Sequence, residues 1–262
     1  MSSYLRPLQY LLCLLLTTAG LQAQTLVANY SFTGNAKDES ATNNAAEIHG
    51  VLLTQDRFGW ANNAFSFDGI QSNLQAPNVA ALNTDYTTVA FWINVDALPI
   101  SGEAYLLSFG GWQERWKISL PDHGKLVWTT NNSSGISDMD AGDGNELVPG
   151  MWTHLAFVHD GTKDRIYMNG VQIAEKDVTG TLNNTTSPLG IGYNPIDGGN
   201  FFEGAMDEIR IYDGALSAGD ILALYNTQNT EPSIPADLVA SYSFSNNALD
   251  GSSSEIMEKR PT

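Results

Sequence analysis

The chain is a succession of short stretches rich in β-branched and aromatic residues: LVANYSF, AEIHGVLL, NAFSF, TTVAFWINV, AYLLSF, WKISL, KLVWTT, WTHLAFV, RIYMN, VQIAEKDV, LGIGY and DEIRIY. Within most of them apolar and polar residues alternate, the period of a half-buried strand. Turn dipeptides stand between them at Asp68-Gly69, His123-Gly124, Asp160-Gly161, Asn169-Gly170 and Gly198-Gly199, and the 24 glycines point to frequent reversals. No long helical pattern separates the strands, so the crossovers of a parallel sheet have nothing to form from. The economical solution is all-β, two antiparallel sheets packed as a sandwich. Asn169-Gly170, between RIYM and VQIA, predicts a two-residue hairpin, because such a turn needs positive φ at both positions. One helix is predicted, over LSAGDILALYN, with Ser217 as cap and Ile221, Leu222, Leu224 and Tyr225 as its apolar face.

Residues 1–23 join one basic residue, Arg6, to the apolar run LLCLLL and end in Gln22-Ala23. The run is much shorter than the roughly 20 residues that span a bilayer, so it reads as a secretory signal peptide cleaved after Ala23. The one cysteine, Cys13, lies inside it, and the mature chain is expected to have no disulfide or thiol chemistry. No later run is apolar enough for a transmembrane segment, which places the protein as secreted, extracellular or at a cell surface. A formal net charge of -17 argues against nucleic acid as a partner.

The runs AFSFDG, TTVAFWIN, MWTHLAFVHDG, RIYMNG and FFEGAMDEIRIYDGALSAGDILALY together resemble the LamG-like jelly roll of the concanavalin A-like lectin and glucanase superfamily. The resemblance implies a jelly-roll domain over residues 24–226 with one short C-terminal helix. Residues 227–237, polar and carrying Pro232 and Pro235, read as a linker. After it LVASYSFSNNALD, residues 238–250, matches LVANYSFTGNAKD, residues 26–38, at nine of thirteen positions. Residues 238–262 are thus expected to be the incomplete start of a second copy, from a truncation or as a strand-donating tail.

In sandwiches of this family a cation ties the loop after the first strand to the last strand. The resemblance therefore implies calcium (Ca2+) held by Asp38 of AKDES and Asp207 of GAMDEIR, with carbonyls, an amide such as Asn35 or Asn43 and water completing the shell. The alternative is that Asp38 caps a turn and Asp207 hydrogen-bonds a neighbouring loop. A second acidic cluster, Asp138, Asp140 and Asp143 in SDMDAGDGNE, is near an EF-hand pattern without being one, since Pro149 stands where the bidentate glutamate should be. It reads as a solvated, mobile loop and is kept as a ligand-binding candidate, because pentraxin-like relatives carry ligand on a loop in this half of the fold.

Of six tryptophans, Trp92 and Trp152 lie in strong strand patterns and read as core. Trp112, in FGGWQER beside Gln113, reads as a ring offered to solvent, where a flat aromatic face suits a sugar; the alternative is a lid folded over the core. Trp60, Tyr193 and Phe201 are weaker candidates for the same surface. Catalysis finds no support. The glucanases' alternating Glu and Asp motif is absent, Glu208 and Asp213 fall on opposite faces of a regular strand, and His154 and His159 read as core or edge residues. HExxH, GxSxG and phosphate-loop motifs are missing as well.

The chain is thus expected to be a non-enzymatic recognition module for polysaccharide, glycoprotein or another extracellular protein, calcium-stabilised, and the first unit of a longer protein with further domains. Two alternatives stand beside this. A structural or adhesive spacer would bury Trp112 and lack a groove, and an accessory domain would serve a polysaccharide-degrading enzyme whose catalytic part lies elsewhere.

Overall fold

The computed structural model describes residues 24–231. The expected signal peptide, the second copy at 238–262 and the linker from residue 232 onward lie outside the described residues. In chain order the strands are β1 (Leu26–Tyr30), β2 (Glu47–His49), β3 (Leu52–Thr54), β4 (Ala64–Asp68), β5 (Asn73–Ala76), β6 (Thr87–Val95), β7 (Glu103–Phe109) and β8 (Trp116–Pro121). They continue as β9 (Val127–Asn132), β10 (Gly135–Asp140), β11 (Thr153–His159), β12 (Lys163–Met168), β13 (Val171–Asp177), β14 (Leu189–Ile191) and β15 (Glu203–Tyr212). Helix α1 (Gly111–Glu114) follows β7, and helix α2 (Ala218–Gln228) closes the domain.

Two antiparallel sheets form. Sheet I runs β13-β12-β11-β6-β15-β4-β3, with β1 lying along β15 as its eighth strand; the 7-stranded sheet II runs β10-β9-β8-β7-β14-β5-β2. The alternation decides which side chains meet between them. Val89, Phe91, Ile93 and Val95 of β6 and Leu155 and Phe157 of β11 face Leu107, Phe109, Trp116, Ile118 and Trp128 of sheet II in one buried cluster. The ring of Trp128 lies 5.8 Å from that of Trp116 and 5.7 Å from Phe157 across the gap. Trp92 is buried but outside this core, on the opposite side of β6, and Trp152 is only half-buried ahead of β11. Trp116 and Trp128 fill the core between the sheets, in place of the expected Trp92 and Trp152.

The other side of sheet I is covered by α2. Ser217 and Asp220 cap the helix reciprocally, and Ile221 enters a patch of Ala90, Ala156, Val158 and Tyr167. The helix face is narrower than its sequence suggests, since Leu222 is exposed. Tyr225 stacks on Trp92, ring centroids 5.8 Å apart, with His154 against both rings. His154 is fully buried there, and neither ring nitrogen has a hydrogen-bond partner. His159 is equally buried but satisfied: Nδ1 lies 2.7 Å from Asp164 Oδ1 and Nε2 lies 2.8 Å from the Gly180 carbonyl. Thr130 of sheet II donates to the same Asp164, so the group pins one sheet to the other.

Four expectations are corrected. AEIHGVLL is not one strand but β2 and β3, which lie in different sheets; the chain changes sheet at Gly50, whose φ is +73°. The acidic stretch expected as a loop starts as β10, paired with β9 from Gly135↔Asn132 to Asp140↔Val127. A second helix, α1, occupies the expected FGGWQER loop. Finally, α2 extends to Gln228, so the first two residues of the expected linker are helical. The hairpin at Asn169-Gly170 forms as expected, with φ of +50° and +79° and Met168 paired to Val171.

Candidate functional site

Among the described residues no long helix lies over the outward side of sheet II, and the strand register there lines up one row of residues. Asp138 pairs with Thr129, Thr129 with Lys117, Lys117 with Ser108 and Ser108 with Gly190; the row continues through Gln75 to Glu47. Each is flanked along its own strand by residues of the core cluster or at a strand edge, so period-2 alternation turns the row away from the core. These residues come from separate strands, and only the register reveals that they meet.

Lys117 is 7% exposed, so its ammonium is largely removed from water and needs partners. It ion-pairs with Glu103, donates to Ser119 Oγ at 3.1 Å and lies 4.8 Å from the centroid of the Tyr105 ring. Burial pushes the Tyr105 phenol well above its ordinary range, and the carboxylates of Glu103, Asp197 and Asp138 push in the same direction. The phenol therefore stays neutral. On the neighbouring strands Thr129 donates its hydroxyl to Asp138. Asp140, next but one along β10, is exposed on the same side.

The loop from Tyr193 to Phe201 crosses this surface over Gly190. A Cβ at Gly190 would fall 2.7 Å from Pro195 Cδ and 2.9 Å from the Tyr193 carbonyl oxygen, so only glycine admits the loop. Asn200 fastens it: its carbonyl accepts the Tyr105 N–H at 2.8 Å and its side chain donates to the Glu103 carbonyl at 3.0 Å. Tyr193 donates to Gln75 and stacks on Phe201. The loop divides the surface; in the β7 to β10 half Ser108, Lys117 and Thr129 are buried, and the accessible side chains are Asp138 and Asp140 of β10 with Trp112 and Gln113 of α1.

Helix α1 forms the rim of that half. Gly110 and Gly111, both at positive φ, reverse the chain out of β7, and Glu114 anchors the turn by accepting from Ser187 and Thr185. Asn131 of β9, two residues from Thr129, donates to the carbonyls of Trp112 at 3.2 Å and Gln113 at 2.9 Å. The Trp112 side is 45% exposed, and Gln113 is exposed beside it. Asn131 pairs in turn with Ile136, two residues from Asp138. The structure thus collects Trp112, Gln113, Asp138 and Asp140 on one side of sheet II, and adds Lys117, Glu103, Tyr105 and Thr129, which sequence reading missed. Asp143 is not part of the group; it lies in the loop after β10, paired with Lys125. The alternation of Lys117 and Ser119 with Trp116, Ile118 and Leu120 was the one signal for this surface in the sequence.

Asp38 and Asp207 do not fit the calcium site that the resemblance implies. Asp38 accepts three backbone N–H groups, from Asn29 at 2.9 Å and from Ser40 and Asn44 at 2.8 Å, and so caps the turn after β1. Asp207, 2% exposed, takes the Arg57 guanidinium at 2.6 Å, in the place a cation would need. Among the described residues no group of three His, Cys, Asp or Glu is arranged to hold a metal ion. Thermal melts in calcium and in chelator should therefore superimpose; a rise of several degrees on adding calcium would overturn this assignment.

A bulge explains the position of Asp207. Asp207 pairs with Trp92 and Arg210 with Ala90, so β15 has one residue too many there, and Glu208 adopts a φ of +53°. Met206 and Ile209 both stay in the core while Asp207 turns toward α2. Arg57 then bridges Asp207 to the Gln228 carbonyl, 2.9 Å from Nε, with the Trp92 ring 4.8 Å away.

A model of the concanavalin A-like lectin/glucanases superfamily matches residues 68–222. Among solved structures, the binding domain of Paraclostridial Mosquitocidal Protein 1 superimposes with a TM-score of 0.66 at 23% identity, over 78% of this chain and 52% of that one. Domain 4 of AbnA, a GH43 extracellular arabinanase from Geobacillus stearothermophilus solved in complex with arabinotriose, gives 0.62 at 23% identity, over 77% of this chain and 98% of that one. The botulinum neurotoxin serotype G binding domain gives 0.64 at 15% identity, over 79% and 52%. The chain thus spans about half the length of the toxin domains and nearly the whole arabinanase domain. At these identities the likeness is one of fold. No curated protein matches the chain in sequence.

Proposed function

The chain belongs to the concanavalin A-like lectin/glucanases superfamily, and on that premise we propose that it is a non-catalytic module that binds a neutral carbohydrate chain where α1 and β10 border the outward side of sheet II. The carrying observation is the exposed set Trp112, Gln113, Asp138 and Asp140 on one side of sheet II, seated on the buried polar row Ser108–Lys117–Thr129. Sugar hydroxyls need convergent donors and acceptors, and a pyranose or furanose face needs a flat apolar ring; this half of the sheet supplies both. A spacer would have buried Trp112. The arabinanase domain, bound to arabinotriose, lends the same kind of ligand to the reading.

Charge selects among glycans. Glu47, Glu103, Asp138, Asp140 and Asp197 gather at this surface, and the one lysine in the row is already paired with Glu103. A sulfated or uronic-acid polymer would meet like charge there, whereas a neutral polymer would not. The crossing loop limits the site to a short stretch of polymer. As part of a larger secreted protein the module would hold the rest of the molecule on a polysaccharide.

Titration calorimetry against soluble arabinan and other neutral polysaccharides, with an anionic polysaccharide as comparison, tests this. Binding should be confined to neutral polymers, and Trp112→Ala should weaken it at least about tenfold with the melting temperature unchanged. Preference for the anionic polymer, unaltered affinity in the variant, or release of reducing ends from the polymer would overturn the proposal.

A further inference from the structure

The structure shows which residues of β1 and the turn after it are buried: Val27, Ala28, Tyr30, Phe32, Ala36 and Asp38. All six recur in the C-terminal stretch as Val239, Ala240, Tyr242, Phe244, Ala248 and Asp250. The four differences, Asn29 to Ser241, Thr33 to Ser245, Gly34 to Asn246 and Lys37 to Leu249, fall only at half-buried or exposed positions. Even the backbone demands are respected. Gly34 has a φ of +73° with nothing within 4 Å of a Cβ built there, and asparagine is the residue that tolerates this region best after glycine. Phe32, at a φ of +54°, is kept as phenylalanine.

We infer that residues 238–250 are a second β1, able to fill the groove along β15 that β1 occupies in the same chain. β1 pairs antiparallel with β15 from Leu26↔Tyr212 to Tyr30↔Ile209. The end of α2 sits at the near end of this groove: the Gln228 side chain donates to Glu208 at 3.1 Å, and Arg57 holds its carbonyl. Leu238 would have to reach the Tyr212 end, about 13 Å further along the strand. Residues 229–237 extend to about 30 Å, which is ample. The occupant would bring the buried side chains of β1 back to their places: Tyr242 for Tyr30, and Asp250 as the turn cap, with Ser252 standing in for Ser40; Gly251 and Ile256 stand where β1 is followed by Glu39 and Asn44, whose hydrogen bonds to Ser31 and Pro77 are lost. The groove can therefore be closed by either end of the chain, and damage to one strand is covered by the other.

The test uses residues 24–262 and three variants, Tyr30→Asp, Tyr242→Asp and the double. Each single variant should melt close to the parent as a monomer, and the double should be unfolded. In Tyr30→Asp, hydrogen-exchange protection of residues 238–250 should rise at least tenfold while that of 24–38 is lost. A Tyr30→Asp protein as unstable as the double would overturn the inference, since the C-terminal stretch would then belong to some other sheet. Rescue confined to a dimer would overturn docking within one chain.

Discussion

Replacing Arg57 by alanine is expected to cost about 3–5 kcal/mol of unfolding free energy above pH 8, where Asp207 is ionised, the usual penalty for stripping one partner from a buried ion pair. The guanidinium has three attachments at once: Asp207 at 2.6 Å, the Gln228 carbonyl, and the rings of Phe58 and Trp92. Its loss leaves a buried carboxyl without its cation and frees the end of α2. The pH dependence identifies the cause. Burial pushes the Asp207 carboxyl up to about 8, with Arg57 pulling it down and Glu208 and Asp56 pushing it up. A carboxyl whose folded pKa exceeds its unfolded one binds more protons when folded. It favours folding fully below the unfolded value near 4, and that contribution is lost as pH rises through the folded pKa. Removing Arg57 raises the folded pKa further, so the deficit of Arg57→Ala should stay level from pH 4 to about 7 and grow as pH rises through 8 and beyond. The double variant Arg57→Met, Asp207→Leu should recover most of the loss. Chemical denaturation at several pH values checks this, and a deficit that does not change with pH would mean that lost packing dominates.

The second large effect has the opposite sign. His154→Phe is expected to stabilise the protein by about 1–2 kcal/mol at pH 7.5, because the histidine presents two unpartnered ring nitrogens to a buried aromatic site and phenylalanine presents none. The margin should widen in acid. Burial lowers the His154 pKa to about 3, and the positive charges of Arg57 and Arg210 act in the same direction. The unfolded chain takes up that proton near pH 6.5 and the folded chain does not, so the wild type loses stability as pH falls from 6.5 toward 3. At about 1.4 kcal/mol per pKa unit, the contribution reaches about 4 kcal/mol across that window. The difference between variant and wild type isolates it, because the carboxyls of the same cluster are common to both. A difference that stays constant between pH 7 and pH 4 would show that water or a neighbour satisfies the imidazole.

The sandwich was legible because its signals are local. Alternation in TTVAFWINV and WTHLAFV, the Asn169-Gly170 turn and the Ser217 cap each act within a few residues, and each forms as expected. The binding surface was not, because it is a property of register. Lys117, Thr129 and Asp138 come from three strands, and nothing in any one strand tells which residue of the next it will face. Trp112 was recognisable from its glycines, though not its support by Asn131. The bulge at Glu208 was equally hidden. DEIRIY alternates well enough to read as a regular strand, and an inserted residue changes the fate of Asp207 from metal ligand to arginine partner.

β15 lies in the middle of sheet I, hydrogen-bonded to β6 on one edge and to β4 and β1 on the other, yet it is the last strand among the described residues. Its register with β1 joins residues more than 180 positions apart, Leu26 to Tyr212. The ribosome therefore delivers the keystone after every strand that depends on it. Until residue 212 has been made, β1, β4 and β6 have open edges and the two halves of the sheet have nothing to join them. Folding must be slow relative to its stability, since most of the loop-closure entropy is lost before the central pairings form.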